Sequence, residues 1–202
     1  MKIFLLASLL SLVGCAPDTQ HEPLTVVRLE IPDGICSGTV VTPSVILSAG
    51  HCFGDVREED QGKEAKKEPP TSMKINGRTV KILAVVLDGN DHALVHVDFV
   101  FPYVAHLGRK PRTGAHVHYY GNPAGLDLIY REGYVASYRH SAMMLNINGF
   151  FGDSGAGIFD EFGEVIGVMN FINPHESRGL VFSLMGVDAL EFTPQQYMMM
   201  GL

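Results

Sequence analysis

Short apolar runs of a length that suits β-strands make up most of the chain. They are rich in Val, Ile, Tyr and Phe, and glycine, proline or Asn-Gly pairs separate them. The runs lie at residues 24–31, 40–48, 79–87, 93–97, 117–120, 128–138, 143–147, 157–159, 165–172 and 180–184. Such a succession is typical of an antiparallel barrel or sandwich, and no amphipathic pattern of helix length interrupts it. We therefore expect an all-β fold.

Two local signals add detail to this expectation. Asn76-Gly77 lies between residues 73–75 and 78–80 and predicts a tight hairpin turn. Near the end of the chain, Thr193 as a cap and Pro194 at the first helical position predict a short C-terminal helix.

Three polar residues near the ends of these runs have the chemistry of nucleophilic catalysis. His51 follows the run at 40–48, Asp91 leads into the run at 93–97, and Ser154 lies in the glycine turn 152–155. A serine hydroxyl needs an imidazole to take its proton, and a carboxylate on the other ring nitrogen fixes the tautomer. Asp88 competes with Asp91 for that role, but Asp91 leads more directly into the apolar strand.

The order His, Asp, Ser differs from the orders found in α/β-hydrolases and subtilisins. Together with the strand segment that begins Cys36-Ser37-Gly38, these motifs make residues 36–172 resemble the trypsin/chymotrypsin family, most of all its compact bacterial members. The resemblance implies two antiparallel six-stranded β-barrels. It also implies a serine endopeptidase that works through an acyl-enzyme, with an oxyanion hole formed by the backbone N–H groups of Gly152 and Ser154, and it implies no cofactor and no metal.

The sequence departs from the family pattern at several positions. The family residue at the base of the primary pocket corresponds to Asn148, and the family residues in the pocket wall correspond to Asn170 and Phe171. Because no acidic residue stands at the base, we do not expect a preference for substrates with Lys or Arg. Asp91 is followed by His92, where an aliphatic residue is usual. No family-like activation site precedes residue 24, so we expect a single-chain enzyme in which Asp153 finds a local partner.

The cysteines fit the same interpretation. The resemblance implies that Cys36 bridges to Cys52, the residue after His51. An alternative zinc site made of Cys36, His51 and Cys52 lacks an evident fourth ligand. A bridge leaves Cys15 as the remaining cysteine and requires an oxidising compartment.

The amino end has the pattern of an export signal. Lys2 precedes an apolar run at 3–13 that is too short to span a bilayer. Residues 12–15 resemble the lipobox of bacterial lipoproteins, which predicts lipidation of Cys15. We expect a signal peptide at 1–14, a tether at 15–23 and a protease domain at 24–202, with barrel one at about 24–100 and barrel two at about 112–186. The protein is then lipid-anchored on the periplasmic or cell-surface side of a bacterial membrane, or otherwise secreted.

Charge and the remaining histidines limit the partners. The formal net charge is −7, and loss of Lys2 makes the mature chain more acidic still, which argues against nucleic-acid binding. His116 and His118 share one face of a strand, and we interpret them as exposed polar residues and not as metal ligands. We expect a monomer that acts on a protein or peptide substrate. The alternatives are a non-catalytic homologue that binds a protein partner and an esterase with the same triad.

Overall fold

The computed structural model describes residues 21–54, 68–139, 142–177, 180–188 and 193–201. Within these ranges the chain forms two closed antiparallel barrels, preceded by the one-turn helix α1 (Glu22–Thr25) and followed by the helix α2 (Pro194–Met199). The predicted all-β fold with two six-stranded barrels and a short C-terminal helix is confirmed. The predicted signal peptide, Cys15 and most of the predicted tether lie outside the described residues.

Barrel one contains the first six strands of the chain. They are β1 (Val26–Ile31), β2 (Gly34–Thr42), β3 (Val45–Ala49), β4 (Ser72–Ile75), β5 (Arg78–Leu87) and β6 (His92–Val97). The strand order is β1-β2-β3-β6-β5-β4, and pairing of β1 with β4 closes the barrel. The pairing of β3 with β6 places the end of β3 beside the start of β6, with Ala49 opposite His92.

Barrel two contains the other six strands. They are β7 (His116–Gly121), β8 (Ile129–Arg139), β9 (Ala142–Leu145), β10 (Gly157–Asp160), β11 (Val165–Ser177) and β12 (Leu180–Asp188). The strand order is β10-β11-β12-β9-β8-β7, and pairing of β10 with β7 closes the barrel. The turn that contains Ser154 lies between β9 and β10.

Each barrel encloses its own apolar core. Leu29, Ile46 and Leu47 are fully buried in barrel one, and Leu145 and Ile158 are fully buried in barrel two. Complete burial of such a side chain contributes about 1.5–3 kcal/mol. The two cores hold the strand ends that carry the polar residues of the site.

The turn signals are largely confirmed, with one difference. Asn76 and Gly77 adopt φ values of +49° and +82° between β4 and β5, as the hairpin prediction requires. Thr193 caps α2 by accepting a hydrogen bond from the backbone N–H of Gln196. The run predicted at 40–48 is not one strand: β2 ends at Thr42 and β3 begins at Val45, since Pro43 lacks the N–H that a ladder needs.

The amino-terminal helix packs on barrel two through a buried pair. His118 Nε2 lies 2.5 Å from Glu22 Oε2, and both side chains are buried. The expectation that His118 is an exposed strand residue is therefore wrong, because α1 covers that part of β7. His116, which is partly exposed, lies 3.3 Å from Glu132.

Neither the length nor the hydropathy of any helix within the described residues would allow it to span a membrane.

Candidate active site

Two strand ends of barrel one bring His51 and Asp91 together. His51 lies in a 3₁₀ turn directly after β3, and Asp91 precedes β6, which pairs with β3. The Nδ1 atom of His51 lies 2.9 Å from Oδ1 and 3.0 Å from Oδ2 of Asp91. The backbone N–H of His51 donates to Asp91 Oδ1 at 2.6 Å, and that of Gly50 donates to the Asp91 carbonyl at 2.7 Å. Backbone and side chain therefore fix the pair together.

The two members of this pair differ in exposure. The Asp91 side chain is 3% exposed, whereas that of His51 is 40% exposed. Because an ionised carboxylate only accepts hydrogen bonds, the ring carries its proton on Nδ1 and leaves the Nε2 lone pair free to accept a proton. The arrangement is that of an oriented base at a solvent-accessible surface.

Asp88, the competing carboxylate, faces a different histidine. Its Oδ2 atom lies 2.5 Å from Nδ1 of His92, and the side chains of both residues are 0% exposed. Its Oδ1 atom accepts the backbone N–H groups of Asn90 and His92. Burial alone would raise the pKa of Asp88, but the hydrogen bond and charge of His92, with the two N–H donors, outweigh it and hold the pKa below its ordinary value.

Ser154 lies in a turn of barrel two that packs against barrel one. The Ser154 carbonyl accepts the backbone N–H of Ser37 at 2.7 Å. A Cβ atom on Gly155 would lie 2.2 Å from Ser48 Oγ, so only glycine permits this close approach to the end of β3. Ser154 is thus held close to the strand end that presents His51. Within the described residues its hydroxyl forms no hydrogen bond, either with the His51 ring or with another group.

Two backbone N–H groups beside the hydroxyl are available. Among the described residues, neither Gly152 nor Ser154 uses its N–H as a hydrogen-bond donor. The Gly152 carbonyl accepts the Ser37 hydroxyl at 2.8 Å, which holds the Gly152–Asp153 peptide that lies between the two N–H groups. Gly152 has a φ of +102°, and a Cβ there would lie 2.4 Å from the Asn122 carbonyl, so a side chain would disrupt the turn. Unused N–H groups in a turn of this kind can bind an anion.

Asp153 has a local partner, as the sequence led us to expect. Its buried Oδ2 atom accepts the backbone N–H of Phe150 at 2.8 Å and lies 2.5 Å from Nη1 of Arg131 on β8. The Tyr119 hydroxyl lies 3.1 Å from the same oxygen and also accepts from Arg131. Burial, and then the negative charge of Asp153, raise the pKa of Tyr119. An ion pair between the fully buried Asp153 and the partly exposed Arg131 therefore lies next to the Ser154 turn.

Sequence reasoning did not identify Arg131 as this partner. The available signal was an arginine within the apolar run 128–138. Strand alternation places the Arg131 side chain on the opposite face of β8 from its two sequence neighbours. Because β7 pairs with β8, Arg131 lies opposite Tyr119. This pairing depends on a register that the sequence pattern alone does not reveal.

The residues predicted for the primary pocket have different surroundings. Asn148 is exposed, and its carbonyl accepts the Tyr119 hydroxyl at 2.9 Å. Asn170 is buried at a bulge of β11, between Met169 and Phe171. The Phe171 backbone pairs with Gly186 of β12, and its side chain lies outside the described set. The Met169 carbonyl accepts the N–H of Gly155, so β11 borders the Ser154 turn.

The rim of the site is apolar on one side. Phe150 is exposed, and the side chain of Phe151, which immediately precedes Gly152, is 83% exposed. Exposed Leu126 follows the turn whose Ala124 N–H donates to the Phe151 carbonyl. The surface beside the two free N–H groups is therefore open and hydrophobic.

A disulfide ties the His51 turn to β2. Cys36 and Cys52 are joined, with 6.6 Å between their Cα atoms. The zinc alternative for Cys36, His51 and Cys52 fails, because the two sulfur atoms are bonded to each other. Searched over the described ranges, the structure contains no group of three or more His, Cys, Asp or Glu residues arranged to hold a metal ion.

Comparison with models of protein families gives a match over most of the described chain. Residues 36–168 match the model of the trypsin-like peptidase domain. Comparison with curated proteins gives no match.

Three solved structures illustrate the similarity of fold. The Rv3671c protease of M. tuberculosis, in its inactive form, has 15% sequence identity and a TM-score of 0.67, over 93% of this chain and 98% of that one. A Glu endopeptidase in complex with MPD has 18% identity and a TM-score of 0.63, over 88% of each chain. A serine endoprotease from Yersinia pestis has 17% identity and a TM-score of 0.63, over 84% of this chain and 60% of that one.

Proposed function

Because the chain belongs to the trypsin-like peptidase family, we propose that it is a serine endopeptidase in which His51, Asp91 and Ser154 form the catalytic triad. The observation that carries the proposal is the buried Asp91 carboxylate on Nδ1 of a solvent-accessible His51. Ser154 lies in a glycine turn that packs against the same strand end. The three residues occur in the chain order of this family.

Acylation would proceed by proton transfer within the triad. Ser154 Oγ attacks the carbonyl carbon of the scissile peptide while its proton passes to Nε2 of His51. Asp91 stabilises the imidazolium that forms. His51 then gives the proton to the departing amine, the C–N bond breaks, and an acyl-enzyme on Ser154 remains. In deacylation, water attacks the acyl carbon while its proton passes to His51. The bond to Ser154 Oγ then breaks, His51 returns the proton to Oγ, and the carboxylic acid product leaves.

The N–H groups of Gly152 and Ser154 would bind the oxyanion of each tetrahedral intermediate. Each such donor contributes about 3 kcal/mol to the transition state. Both peptides are already oriented, because their carbonyl groups are held. The Phe151 carbonyl, in the peptide of the Gly152 N–H, accepts the N–H of Ala124 at 2.8 Å. The Asp153 carbonyl, in the peptide of the Ser154 N–H, accepts the N–H of Ala156 at 2.9 Å. Little reorganisation is then needed when charge develops.

The missing hydrogen bond between Ser154 and His51 is compatible with this mechanism. Catalytic hydrogen bonds are often long in the free enzyme and tighten when substrate binds. The two turns approach each other from different barrels, so a substrate that spans both is positioned to bring the groups together.

For specificity, we propose a primary pocket bounded by Asn148, Asn170 and Phe171 that does not select Lys or Arg. Neither Asn148 nor Asn170 carries the negative charge that would pair with a cationic side chain. The exposed Phe150 and Phe151 suit an apolar stretch of substrate chain beside the scissile bond.

The test of the proposed function is covalent labelling with a fluorophosphonate. We expect one label per chain, on Ser154, and no label on Ser154→Ala. Hydrolysis of a peptide library by Ser154→Ala should be lower by a factor of about 10⁴ or more. Ser44→Ala, a surface change in barrel one, is the matched control and should behave like the wild type.

The same experiment separates the alternatives. A folded wild-type protein that takes no label would support a non-catalytic homologue that binds a protein partner. Labelling with hydrolysis of small esters and no cleavage of any peptide would support an esterase. Wild-type turnover in Ser154→Ala would show that the nucleophile is another residue.

For location, we propose that Cys15 is lipidated and anchors the mature protein outside the cytoplasm. The motif at residues 12–15 supports this. Cys15→Ser should leave an uncleaved precursor or a released protein where the wild type needs detergent for extraction. Mass spectrometry of the mature terminus decides the question, because an unmodified chain beginning at Pro17 or later would exclude the anchor.

A further inference from the structure

A second histidine–carboxylate pair lies beside the first. Asp88 and His92 are four residues apart and close a turn that contains Asp91. The Asp88 N–H donates to the His92 carbonyl at 3.3 Å, while Asp88 Oδ1 accepts the N–H groups of Asn90 at 2.8 Å and His92 at 3.0 Å. One carboxylate thus organises the whole turn.

The turn has a conformation that needs such support. Asp91 adopts a φ of +67°, in the left-handed region that L-residues with a side chain seldom occupy. Residues held there cost on the order of 1–3 kcal/mol and persist where the surrounding structure determines them. This backbone conformation aims the Asp91 carboxylate at His51 while its carbonyl accepts the N–H of Gly50.

The helix α2 contacts the chain next to this pair. Gln196 on α2 donates through Nε2 to the carbonyl of Leu87, the residue before Asp88, at 3.1 Å. Burial, and then the charge of Asp88, raise the pKa of the Tyr197 hydroxyl on the same helix. The helix α2 is therefore attached to the chain at the start of this turn.

We propose that Asp88 and His92 are positioning residues that hold Asp91 in the conformation in which its carboxylate orients His51. His92 occupies the first position of β6, where it pairs with Ala49 at the end of β3. Its backbone is thus paired with β3, just before the turn that carries His51, while its ring binds Asp88 at the start of the Asp91 turn. The inference rests on the proposed function, and it assigns a role to the histidine that stands where the family has an aliphatic residue.

The structure offers a matched control for this proposal. Glu22 and His118 form another buried histidine–carboxylate pair with the same 2.5 Å separation, but in barrel two and on the amino-terminal helix. Neither residue contacts the described residues of the site. Loss of either pair removes a buried hydrogen bond to a charged group, but only the loss of Asp88–His92 should affect Asp91.

The test compares variants of the two pairs in the full-length protein. Asp88→Asn and His92→Leu disrupt one pair, whereas Glu22→Gln and His118→Leu disrupt the other, and circular dichroism selects conditions where each variant is folded. Saturation kinetics of fluorophosphonate labelling separate the limiting rate from the half-saturating concentration. Asp88→Asn and His92→Leu should lower the limiting rate by about 10–100-fold, as expected for a small displacement of a catalytic group, with the half-saturating concentration unchanged.

A conservative variant provides the rescue. His92→Asn keeps an N–H donor near Asp88 and should recover part of the limiting rate that His92→Leu loses. Glu22→Gln and His118→Leu should stay within about twofold of the wild type, since no contact links them to Asp91. Limiting rates of Asp88→Asn and His92→Leu equal to the wild type, or an equal loss in the control variants, would overturn the proposal.

A spectroscopic readout keeps the inference independent of activity. The Nδ1 proton of His51, hydrogen-bonded to Asp91, should give a far-downfield proton resonance in histidine-labelled protein, assigned by its loss in His51→Ala. Asp88→Asn should move or broaden this resonance, and Glu22→Gln should not. If the wild type takes no label, the proposed function fails while this comparison still decides whether Asp88 positions Asp91. An unchanged resonance in Asp88→Asn would contradict the positioning role.

Discussion

The two barrels hold their parts of the site by different means. Barrel one fixes His51 and Asp91 through backbone hydrogen bonds at paired strand ends and through the disulfide of Cys52. Barrel two fixes the Ser154 turn through the ion pair of the fully buried Asp153 with the partly exposed Arg131.

Each barrel also contains a buried carboxylate behind its reacting residue, but the side chains that pair with these carboxylates differ. Asp88 pairs with His92, and Asp153 pairs with Arg131. An arginine keeps its charge at any pH at which proteins fold, whereas a histidine does not. The comparison teaches that a buried carboxylate can support a turn of the site with either an arginine or a histidine as its partner.

The largest effect is expected in barrel one, from Asp91→Asn. The amide cannot impose the Nδ1–H tautomer on His51, so the limiting labelling rate should fall by about 10⁴ while the fold is retained. Asp98→Asn is the control, because in the described structure the exposed Asp98 carboxylate accepts a backbone N–H from Lys81 and lies apart from the site. A loss of less than tenfold would mean that the strand-end pair is not what orients the base.

The second effect tests barrel two. Arg131→Met leaves the fully buried Asp153 without its cation, which should lower the free energy of unfolding by about 3–5 kcal/mol. Denaturant unfolding measures it. The double variant Arg131→Met with Asp153→Asn should recover part of the loss, because no charge then stays buried and unpaired.

Arg28→Met is the matched control for this comparison. The Arg28 side chain is about as exposed as that of Arg131, at 22% against 24%, but its partners Glu30 and Asp127 are accessible to solvent, whereas Asp153 is not. Loss of Arg28 therefore leaves no carboxylate buried without its cation and should cost only about 1 kcal/mol or less. An equal cost for the two arginines would show that the Asp153–Arg131 pair does not support barrel two in the way its burial suggests.

The third effect concerns the covalent tie in barrel one. The cysteines are 16 residues apart, and a bridge across such a loop contributes about 3 kcal/mol through the unfolded state. Because Cys52 directly follows His51, Cys36→Ser should also lower turnover at temperatures where circular dichroism still reports a folded protein. Activity that declines only together with the folded fraction would separate the disulfide from catalysis. Quantitative alkylation of both cysteines in the unreduced native protein would exclude the bridge itself.

What the sequence could predict follows from how local each signal is. The strands were predictable because apolar runs and turn residues record local backbone preferences. The Asn76-Gly77 hairpin and the capped helix after Thr193 were predictable for the same reason. The break at Pro43 was equally local, but the apolar residues on both sides of it concealed the turn.

The buried polar pairs were not predictable in this way. Arg131 and Asp153 meet because barrel two closes, and His118 is buried because α1, far away in the chain, contributes Glu22. Strand alternation shows which face a residue occupies but not which residue lies opposite. The pair of Asp88 and His92 is an exception, since the two are close in sequence and the unusual histidine after Asp91 was the visible signal.

The smallest effect tests whether the carboxylate of barrel one is held as its partners indicate. The pKa of Asp88 lies below its ordinary value of 3.8 in the folded protein, against the effect of burial and because of His92 and the backbone donors. At a pH between the folded-state pKa and 3.8, Asp88 binds a proton in the unfolded chain but not in the native protein. The contribution of Asp88 to stability is therefore fully present above the ordinary value and is lost as the pH falls through the folded-state pKa.

In the described structure, the titratable groups that interact with the Asp88 carboxylate are His92 on β6 and Tyr197 on α2. Unfolding curves measured from pH 6 downward should show a shallower acid loss for Asp88→Asn than for the wild type. Parallel curves for the two proteins would mean that Asp88 is not held as a charged partner of His92, and the contrast with Arg131 and Asp153 would then lose its basis.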